Sequence, residues 1–500
     1  MRSEPDRNLS LGDYDPRLAG TQILGFRLVQ NSRNVQPGDI FVALGSTGAD
    51  GSAFIDHAMN QGASAALYDP ALFAASGSGN ELPETAYAIR DLRAQLGRIA
   101  DDFYGHPSED LTMVGVTGTN GKTSVVQLIS QAWNALDVPS ASIGTLGAGP
   151  YGAIDVQTGL TTPPVTQVHE LLASFKTQGV DAVAIEVSSH ALEQGRVAGA
   201  HFDIAVFTNL TRDHLDYHLT MERYAAEKAK IFTLDGVSTA VINLDDPYGR
   251  NYFTGVASVL RRIGVSSHGH ADATIRTNDV RLTPDGIECT LEIDGLTYPF
   301  VSGLIGRFNI DNLLACAGVL FAQGIDPAVI VETLSALKPV FGRMNRIQPD
   351  PSLPLVIVDY AHTPDALEQS LTALREHSHG RIITIFGCTG DRDRGKRPEM
   401  ARIAEALSDV VIVTDDDVHH EDGDLILDDI RPGFERPGDV LEQRDRGLAI
   451  AEGISRAEAG DIVLIAGKGH ESAMVVGDDL VSFSDTETAT RLLGERLAGG

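Results

Sequence analysis

The chain has 500 residues, which is more than one hydrophobic core normally holds, so we expect about three domains. Hydrophobic residues make up 42% of the composition, as in an ordinary globular protein, and no apolar run reaches the ~18 residues of a membrane span. The formal net charge of −30 argues against a nucleic-acid partner, because binding to a phosphate backbone needs clustered Lys and Arg.

The N-terminus lacks the apolar segment of a signal peptide. Three scattered cysteines, Cys289, Cys316 and Cys388, indicate a reducing compartment and no disulfide framework. We therefore expect a cytoplasmic protein. We also expect a monomer with small-molecule substrates and with no nucleic-acid or membrane partner.

Apolar blocks and turn residues divide the chain into three α/β parts. Residues 1–110 read as a small α/β domain, with strands at 39–44 and 65–68 and a helix at 91–104. Residues 111–344 begin as βα repeats, which predict a parallel sheet, and continue with antiparallel strands at 270–302 and a helix at 309–324. Residues 345–500 alternate strands and helices as a doubly wound, Rossmann-like domain does.

A phosphate-binding loop is predicted at the start of the central domain. A short apolar strand leads into Gly118-Thr119-Asn120-Gly121-Lys122-Thr123, and a helix follows. Its spacing departs from the common motif, which has four residues between the first Gly and Gly-Lys. Backbone N–H groups at the helix start would face the phosphates, Lys122 would reach the outer ones, and the Thr123 hydroxyl would meet Mg²⁺. We favour this interpretation over an ordinary Gly-rich turn, because strand, Lys-Thr and helix all fall in place.

Polar residues follow the next predicted strands, where ligands of open parallel sheets bind. Glu186 ends one strand and His214 follows another, which makes both candidate Mg²⁺ ligands, although Mg²⁺ prefers oxygen. A Glu paired with a local donor and a His in a capped turn remain the alternative. The predicted amphipathic helix 224–232 carries Lys228 and Lys230, and its pattern alone indicates a solvated charged face.

Three polar segments also follow strands of the third domain. They are 359–365, which begins with Asp359, the densely basic 387–398, and 467–471. Glycines in the basic segment would let the backbone approach an anionic ligand closely.

Six motifs occur in order: Gly-Thr-Asn-Gly-Lys-Thr (118–123), Glu-Val-Ser-Ser-His-Ala-Leu (186–192), Thr-Asn-Leu-Thr-Arg-Asp-His-Leu-Asp-Tyr-His (208–218), Asp-Tyr-Ala-His-Thr-Pro-Asp (359–365), Gly-Asp-Arg-Asp-Arg-Gly-Lys-Arg-Pro (390–398) and Gly-Lys-Gly-His-Glu (467–471). With them the chain resembles the Mur ligases over residues 31–493, and within that family the enzymes that add the third peptide residue. The resemblance implies that ATP phosphorylates a carboxylate of UDP-MurNAc-L-Ala-D-Glu and that an amino group then displaces the phosphate. It also implies a first domain that binds the UDP substrate, a central ATP-binding domain, and a third domain that serves the amino acid and ATP.

The resemblance assigns roles to individual residues. ATP contacts are implied for Gly118, Thr119, Asn120, Gly121, Lys122, Thr123, Ser124, Asn309, Asn312, Arg343 and Asp359. Contacts to UDP-MurNAc-dipeptide are implied for Ser32, Thr161, Thr162, Ser188, Gln194 and Arg196. Catalytic roles fall to Lys122, Glu186, His214 and Lys228, and Mg²⁺ would be held by Thr123, Glu186, His214 and a carbamylated Lys228. Contacts to the incoming amino acid are expected for Arg392, Asp416, Asp417, His419, Gly467 and Glu471.

The identity of the added amino acid is predicted from a segment in which this chain differs from its family. Family members that add meso-diaminopimelate carry Asp-Asn-Pro-Arg where this chain has Asp416-Asp417-Val418-His419, and a neutral His cannot replace a bidentate guanidinium on a carboxylate. The acidic surroundings would suit a cationic side chain. We therefore predict L-lysine, with ornithine or meso-diaminopimelate as alternatives.

Two functions of other kinds stay open at this point. One is a folate or polyamino-acid ligase of the same superfamily, and the other is a P-loop NTPase switch. Leu219, where the family usually has Gly, and Phe341, where it usually has Pro, put the local turn geometry in doubt.

Overall fold

The computed structural model describes residues 7–45, 51–76, 81–256 and 260–499. The chain divides into two compact units. The first contains residues 1–266, 270–273 and 315–325, and the second contains residues 267–269, 274–314 and 326–500. The domain boundaries predicted at 110/111 and 344/345 stay predictions.

A small parallel sheet forms the N-terminal part of the first unit. Its strands, in spatial order, are Leu28–Val29, Ile40–Ala43, Ala65–Tyr68 and Ala86–Ala88. A separate antiparallel pair joins Arg7–Ser10 to Gln22–Gly25. The helices of this part are Ile55–Asn60, Pro70–Ser76 and Leu92–Tyr104. The last of these buries Leu92, Leu96 and Ile99 at helical spacing against the sheet, as predicted.

The main sheet of the first unit has the P-loop strand near its middle. In spatial order its strands are Arg261–Ser266, Thr239–Asn243, Ile204–Phe207, Thr112–Thr117, Ala182–Glu186, Ser140–Gly144 and Gly147–Pro150. The first six are parallel and the last is antiparallel to its neighbour. Because the carboxyl ends of parallel strands share one edge, the loops that follow Thr117, Glu186 and Phe207 lie side by side.

The remaining helices of the first unit connect these strands. They are Lys122–Ala135, Val165–Thr177, Ser189–Glu193, Leu215–His218, Met221–Ala229 and Pro247–Gly255. The helix predicted at 224–232 begins earlier, because the Thr220 side chain accepts a hydrogen bond from Arg223 N as an N-cap. It ends earlier too, in a 3₁₀ turn over Lys230–Thr233.

The second unit contains an antiparallel segment of three strands and a six-stranded, mainly parallel sheet. The first consists of Ile275–Thr283, Gly286–Ile293 and Leu296–Ser302, as predicted for 270–302. The second runs in the order Asn345–Ile347, Leu355–Asp359, Ile462–Ala466, Ile382–Phe386, Val410–Val413 and Leu441–Glu442, with only the first pair antiparallel. Apolar clusters on both of its faces confirm the doubly wound α/β class.

Seven further helices and one hairpin complete the described chain. The helices are Phe308–Ala322, which has residues in both units, Pro327–Ala336, Pro364–His377, Lys396–Leu407, Gly423–Ile430, Arg446–Arg456 and Asp485–Gly499. The hairpin pairs Ala473–Val476 with Asp479–Ser482. Within the described ranges no helix has both the length and the apolarity to cross a bilayer.

All three cysteines are free and buried. Burial raises the pKa of the Cys289 thiol to about 11 and that of the Cys388 thiol to about 12. Burial also raises the pKa of Cys316. At neutral pH the three thiols are therefore protonated and poorly nucleophilic.

Candidate active site

The P-loop forms between strand Thr112–Thr117 and helix Lys122–Ala135. Gly118 lies at φ +154°, and a Cβ there would sit 1.9 Å from the Thr208 hydroxyl oxygen. Only glycine fits at such a close approach. Thr123 is buried in the first turn of the helix, and Ser124 next to it is half-buried.

A neighbouring segment, residues 208–211, holds the P-loop in place. Asn120 N donates to Asn209 Oδ1 at 2.9 Å, and Thr119 N donates to Asn209 O at 2.8 Å. The Thr208 hydroxyl donates to Asn120 O at 2.6 Å. Our site prediction left out Thr208 and Asn209. The available signal was the Thr-Asn-Leu-Thr segment directly after a strand.

Two lysines meet at one carbonyl of this loop. Lys228 Nζ donates to Gly118 O at 2.7 Å, and Lys122 Nζ donates to the same oxygen at 2.9 Å. Lys228 is only 1% exposed, so burial, and secondarily the Lys122 charge, lowers its pKa well below the usual lysine value. The interpretation of Lys228 as part of a solvated face is therefore wrong. Of the two lysines predicted on this helix, only Lys230 is exposed.

The two candidate metal ligands have different surroundings. Glu186 is 1% exposed, and its carboxylate accepts hydrogen bonds from Thr145 N at 2.8 Å and from the Thr145 hydroxyl at 3.2 Å. His214 is exposed on a left-handed backbone at φ +52°. Its ring lies 5.0 Å from the His190 ring and 6.2 Å from the Tyr224 ring.

The side chain of Tyr224 lies close to His214, to Lys228 and to the P-loop. Its hydroxyl lies 3.2 Å from the Thr119 hydroxyl, and Lys228 Nζ lies 4.6 Å from its ring centroid. His214, Lys228 and the P-loop therefore share one neighbour, which sequence reasoning missed. The Glu186 carboxylate and the Thr123 hydroxyl offer the oxygen ligands that Mg²⁺ prefers, so the donor set suits this ion. The positive charge of an unmodified Lys228 ammonium would instead repel a metal ion.

The residues assigned to the UDP-MurNAc-dipeptide form one hydrogen-bonded network beside Glu186. The Thr162 hydroxyl donates to Glu186 O at 2.7 Å and accepts from Ser188 N at 3.1 Å. Arg196 Nη1 donates to Thr162 O at 2.8 Å, and Arg196 Nη2 donates to Gln194 Oε1 at 2.8 Å. The structure thus brings four of the six predicted residues together at the end of strand Ala182–Glu186.

Of the other two predicted residues, Thr161 reaches this network through Thr145, whereas Ser32 lies in the N-terminal part of the unit. The Thr161 hydroxyl oxygen lies 3.2 Å from the Thr145 hydroxyl oxygen. Ser32 is buried in the 3₁₀ turn Ser32–Asn34. A cleft of about 350 Å³ within the first unit is lined by Gln30, Leu44, Gly45, Arg93, Leu96, Leu160, Pro164, Val165, Gln194, Gly195 and Arg196. Arg93 and Arg196 give this lining two cationic side chains, which suits an anionic ligand.

The predicted asparagine pair lies within helix Phe308–Ala322. Asn309 Nδ2 donates to Ile305 O at 2.7 Å, and Asn312 Nδ2 donates to Asn309 Oδ1 at 2.9 Å. Both asparagines are buried.

The predicted ATP contacts of the six-stranded sheet are close to one another. Asp359 is buried and accepts hydrogen bonds from Met344 N at 3.1 Å and from the Ser370 hydroxyl at 2.5 Å. The Arg343 guanidinium lies 5.0 Å from the Tyr360 ring centroid. Arg343 Nε is buried and has no hydrogen-bond partner among the described residues.

A crevice at the carboxyl end of strand Ile462–Ala466 gathers the predicted amino-acid contacts. Buried Lys468, which our prediction omitted, donates from Nζ to Asp417 Oδ1 and to Glu471 Oε2, both at 2.8 Å, and lies 3.7 Å from Asp416 Oδ1. A Cβ at Gly467 would lie 2.7 Å from Asp416 Oδ2. These contacts bring segment 467–471 against residues 416–417.

His419 and Arg392 lie on two loops that contact each other. His419 is left-handed at φ +49°, and it pairs through its backbone with the hairpin by donating from N to Val475 O at 3.1 Å. The loop of Arg392 is tied to its neighbour because Asp391 N donates to Glu421 Oε2 at 3.0 Å. Arg392 itself is exposed and makes no hydrogen bond or ion pair within the described ranges.

Four of the five carboxylates in the acidic run 415–422 lie beside neighbouring cations. Asp415 pairs with Arg444 at 3.0 Å, and Glu421 pairs with buried Arg397 at 2.6 Å. Lys468 donates a hydrogen bond to Asp417 and lies 3.7 Å from Asp416, the two carboxylates between these pairs in the sequence. These ion pairs weaken the electrostatic argument for lysine, although Asp422 is exposed and serves as the N-cap of helix Gly423–Ile430.

A P-loop on a parallel sheet, followed by a Rossmann-like sheet with its own polar crevice, fits an ATP-dependent ligase, and the comparisons show that class. The description "Mur ligase middle domain" matches residues 116–320, and "Mur ligase, glutamate ligase domain" matches residues 342–469. The chain belongs to the Mur ligase family, within its MurE branch.

Relatives extend this match over nearly the whole chain. A UDP-N-acetylmuramoyl-L-alanyl-D-glutamate–2,6-diaminopimelate ligase of Xanthomonas oryzae pv. oryzae is 52% identical and covers 99% of both chains. One of Pseudomonas aeruginosa with the same description is 46% identical over 97% of this chain and 98% of its own. A solved ligase structure of that description matches with a TM-score of 0.71 and 32% identity, covering 98% of this chain and 99% of the other. These descriptions favour the alternative with diaminopimelate over the predicted lysine.

Proposed function

We propose that this ligase joins meso-diaminopimelate to UDP-MurNAc-L-Ala-D-Glu at the cost of ATP, through an acyl phosphate, in peptidoglycan synthesis. One observation carries the proposal: relatives that cover 99% of both chains are described as 2,6-diaminopimelate ligases. The two polar sites, one on each unit, support a reaction of two substrates and do not suit a nucleotide switch.

The chain's own groups suit the first step. The P-loop N–H groups and Lys122 would hold the ATP phosphates, and the network of Thr162, Ser188 and Arg196 would hold the dipeptide near Glu186. Thr123, Glu186, His214 and a carbamylated Lys228 would hold Mg²⁺, which supplies charge neutralisation to a transferring phosphoryl group. The lowered pKa of Lys228 supports this, because a neutral amine is the form that reacts with CO₂.

The second step needs a cation for the far carboxylate of diaminopimelate, because His419 stands where family members that add this amino acid carry Arg. We assign this role to Arg392, which is exposed and unpaired within the described ranges. Its loop contacts the loop of His419, and a guanidinium binds a carboxylate bidentately.

The direct test is a competition between amino acids. Phosphate release is measured with ATP, UDP-MurNAc-dipeptide and equal concentrations of meso-diaminopimelate, L-lysine or L-ornithine. We expect release to depend on the dipeptide and to be fastest with diaminopimelate. A preference for lysine would refute the assigned amino acid, and hydrolysis that needs neither substrate would refute the ligase.

Arg392→Ala tests the assigned contact. We expect KM for diaminopimelate to rise by about tenfold or more, while KM for ATP stays unchanged, because a charge-assisted hydrogen bond contributes about 1.5–3 kcal/mol. Arg394→Ala is the matched control, since that arginine is already engaged with Asp429 at 2.7 Å. An equal effect of both substitutions would contradict the role of Arg392.

A further inference from the structure

A fully buried ion pair lies within the second unit, next to the predicted amino-acid crevice. Arg446 is the first residue of helix Arg446–Arg456, and Asp485 is the first residue of helix Asp485–Gly499. Arg446 Nε donates to Asp485 Oδ1 and Arg446 Nη2 donates to Asp485 Oδ2, both at 2.7 Å. Both side chains are 0% exposed. The binding and catalytic roles described above use neither residue.

The stability of the fold gives little reason for this pair. Taking two charges out of water costs free energy that their attraction offsets only in part, and an apolar pair of similar volume is often as stable. The position is also unfavourable for a cation, because Arg446 stands in the first turn of its helix, at the positive end of the helix dipole. The remaining donors of the guanidinium therefore point to another role.

Two of these donors reach backbone carbonyls at the carboxyl edge of the six-stranded sheet. Arg446 Nη2 donates to Ala466 O at 3.0 Å, and Arg446 Nη1 donates to Asp415 O at 3.3 Å. Ala466 ends its strand, and Asp415 follows strand Val410–Val413. These two strands are not neighbours, because Ile382–Phe386 lies between them in the sheet. The guanidinium therefore links two strand ends that the sheet itself does not pair.

Both linked strand ends lead into predicted contacts to the incoming amino acid. Gly467 follows Ala466, and Asp416 follows Asp415. A Cβ at Gly467 would lie 2.7 Å from Asp416 Oδ2 and 3.8 Å from Arg446 Nη2, so the guanidinium stands beside the contact between the two segments. Because a displacement of about 1 Å in a binding group can reduce a rate by about 100-fold, the separation of these segments matters for the reaction.

We propose that Arg446, oriented by Asp485, is a positioning residue for the amino-acid substrate. Its planar guanidinium has donors in fixed directions and holds the segments of Gly467 and Asp416 at the separation that the amino acid needs. Arg446 acts through the backbone of these segments and not by contact with the substrate. The inference rests on the proposed function, since it takes the crevice as the site of the added amino acid.

Arg446→Met tests the proposal in the full-length enzyme, with initial rates measured against each substrate. We expect KM for the amino acid to rise by about tenfold or more. KM for UDP-MurNAc-dipeptide should stay within about twofold, because its predicted contacts lie in the first unit. Arg446→Lys should raise the same KM, because an ammonium lacks the planar fork that spans two carbonyls and a carboxylate. All variants are assayed with the amino acid that the wild type ligates fastest, so an error in its identity leaves the test intact.

Arg381→Met is the matched control, because it breaks an ion pair at the opposite edge of the same sheet. Arg381 Nη2 donates to Asp461 Oδ2 at 2.7 Å, just before strand Ile462–Ala466 begins. We expect this variant to lower Tm without changing KM for the amino acid. It thereby separates a loss of stability from a loss of positioning.

Arg446→Met/Asp485→Asn covers the case in which the single variant fails to fold, because it leaves neither charge of the pair buried. It should show the same rise in KM for the amino acid. An unchanged KM in an active variant would overturn the proposal, as would an equal rise in KM for the dipeptide or in the Arg381→Met enzyme. A wild type that ligates no amino acid would instead refute the proposed function, and this inference with it.

Discussion

At the residue scale, the Gly118 carbonyl oxygen accepts hydrogen bonds from both Lys122 and Lys228. Two ammonium groups at one oxygen repel each other, and burial penalises the charge on Lys228 further. Loss of a proton, followed by carbamylation, would replace the second cation by an anion beside the P-loop. This geometry is the observation behind the proposed carbamylation of Lys228.

Lys228→Ala tests this expectation. We expect kcat to fall by about 100-fold or more, because a preorganised charge at the transferring phosphoryl group is lost, and added acetate should restore part of the activity. Lys230→Ala, two residues away on the exposed side, should keep activity within about twofold. Full activity of Lys228→Ala in a phosphate-release assay would rule out the role.

Leu219 shows why the family usually has glycine at its position. It is 64% exposed and lies at φ +69°, where a Cβ strains the backbone. We expect Leu219→Gly to be more stable to urea than Leu219→Ala by about 1 kcal/mol, because alanine keeps the strained Cβ. Equal midpoints for the two variants would show that the turn relaxes without cost.

At the element scale, the bracing segment 208–211 is itself held by a helix N-cap. The Asp246 carboxylate accepts hydrogen bonds from Tyr248 N at 2.8 Å and Gly249 N at 3.0 Å, which start helix Pro247–Gly255. Its other oxygen accepts from Leu210 N at 2.9 Å. One carboxylate thus connects a helix start to the segment that supports the P-loop.

We expect Asp246→Ala to lower the free energy of unfolding by about 1–2 kcal/mol and to raise KM for ATP, because both the cap and the brace are lost. Asp326→Ala removes a plain N-cap, whose side chain accepts from Ala328 N, and should cost about 1 kcal/mol without changing KM. Denaturant titration and initial rates measure the two effects. An unchanged KM in Asp246→Ala would limit Asp246 to capping.

The elements were predictable where one short segment decides them. Buried strands such as Leu355–Asp359 are continuous apolar runs, and the P-loop lies directly between its strand and helix. Whether a charged side chain is buried or paired depends on residues that are distant in the sequence. The burial of Lys228 depends on a loop 110 positions earlier, and the acidic run finds Lys468 about 50 residues later, so neither was visible in the local pattern.

At the scale of the whole molecule, the net charge of −30 is the dominant long-range feature. Like charges destabilise a compact chain, and salt screens them over about 8 Å at physiological ionic strength. We expect Tm to rise as NaCl is added to a low-salt buffer, and to rise equally with KCl. A falling Tm would mean that the surface ion pairs outweigh the repulsion.

The reactivity of the three buried thiols can report local unfolding of the native chain. Cys316 belongs to the first unit, whereas Cys289 and Cys388 belong to the second. A thiol reagent reacts with the thiolate, so it should leave the closed chain unmodified and label each cysteine only when its surroundings open. Pulsed alkylation followed by peptide mass spectrometry could then time the opening of each unit separately, without an engineered probe.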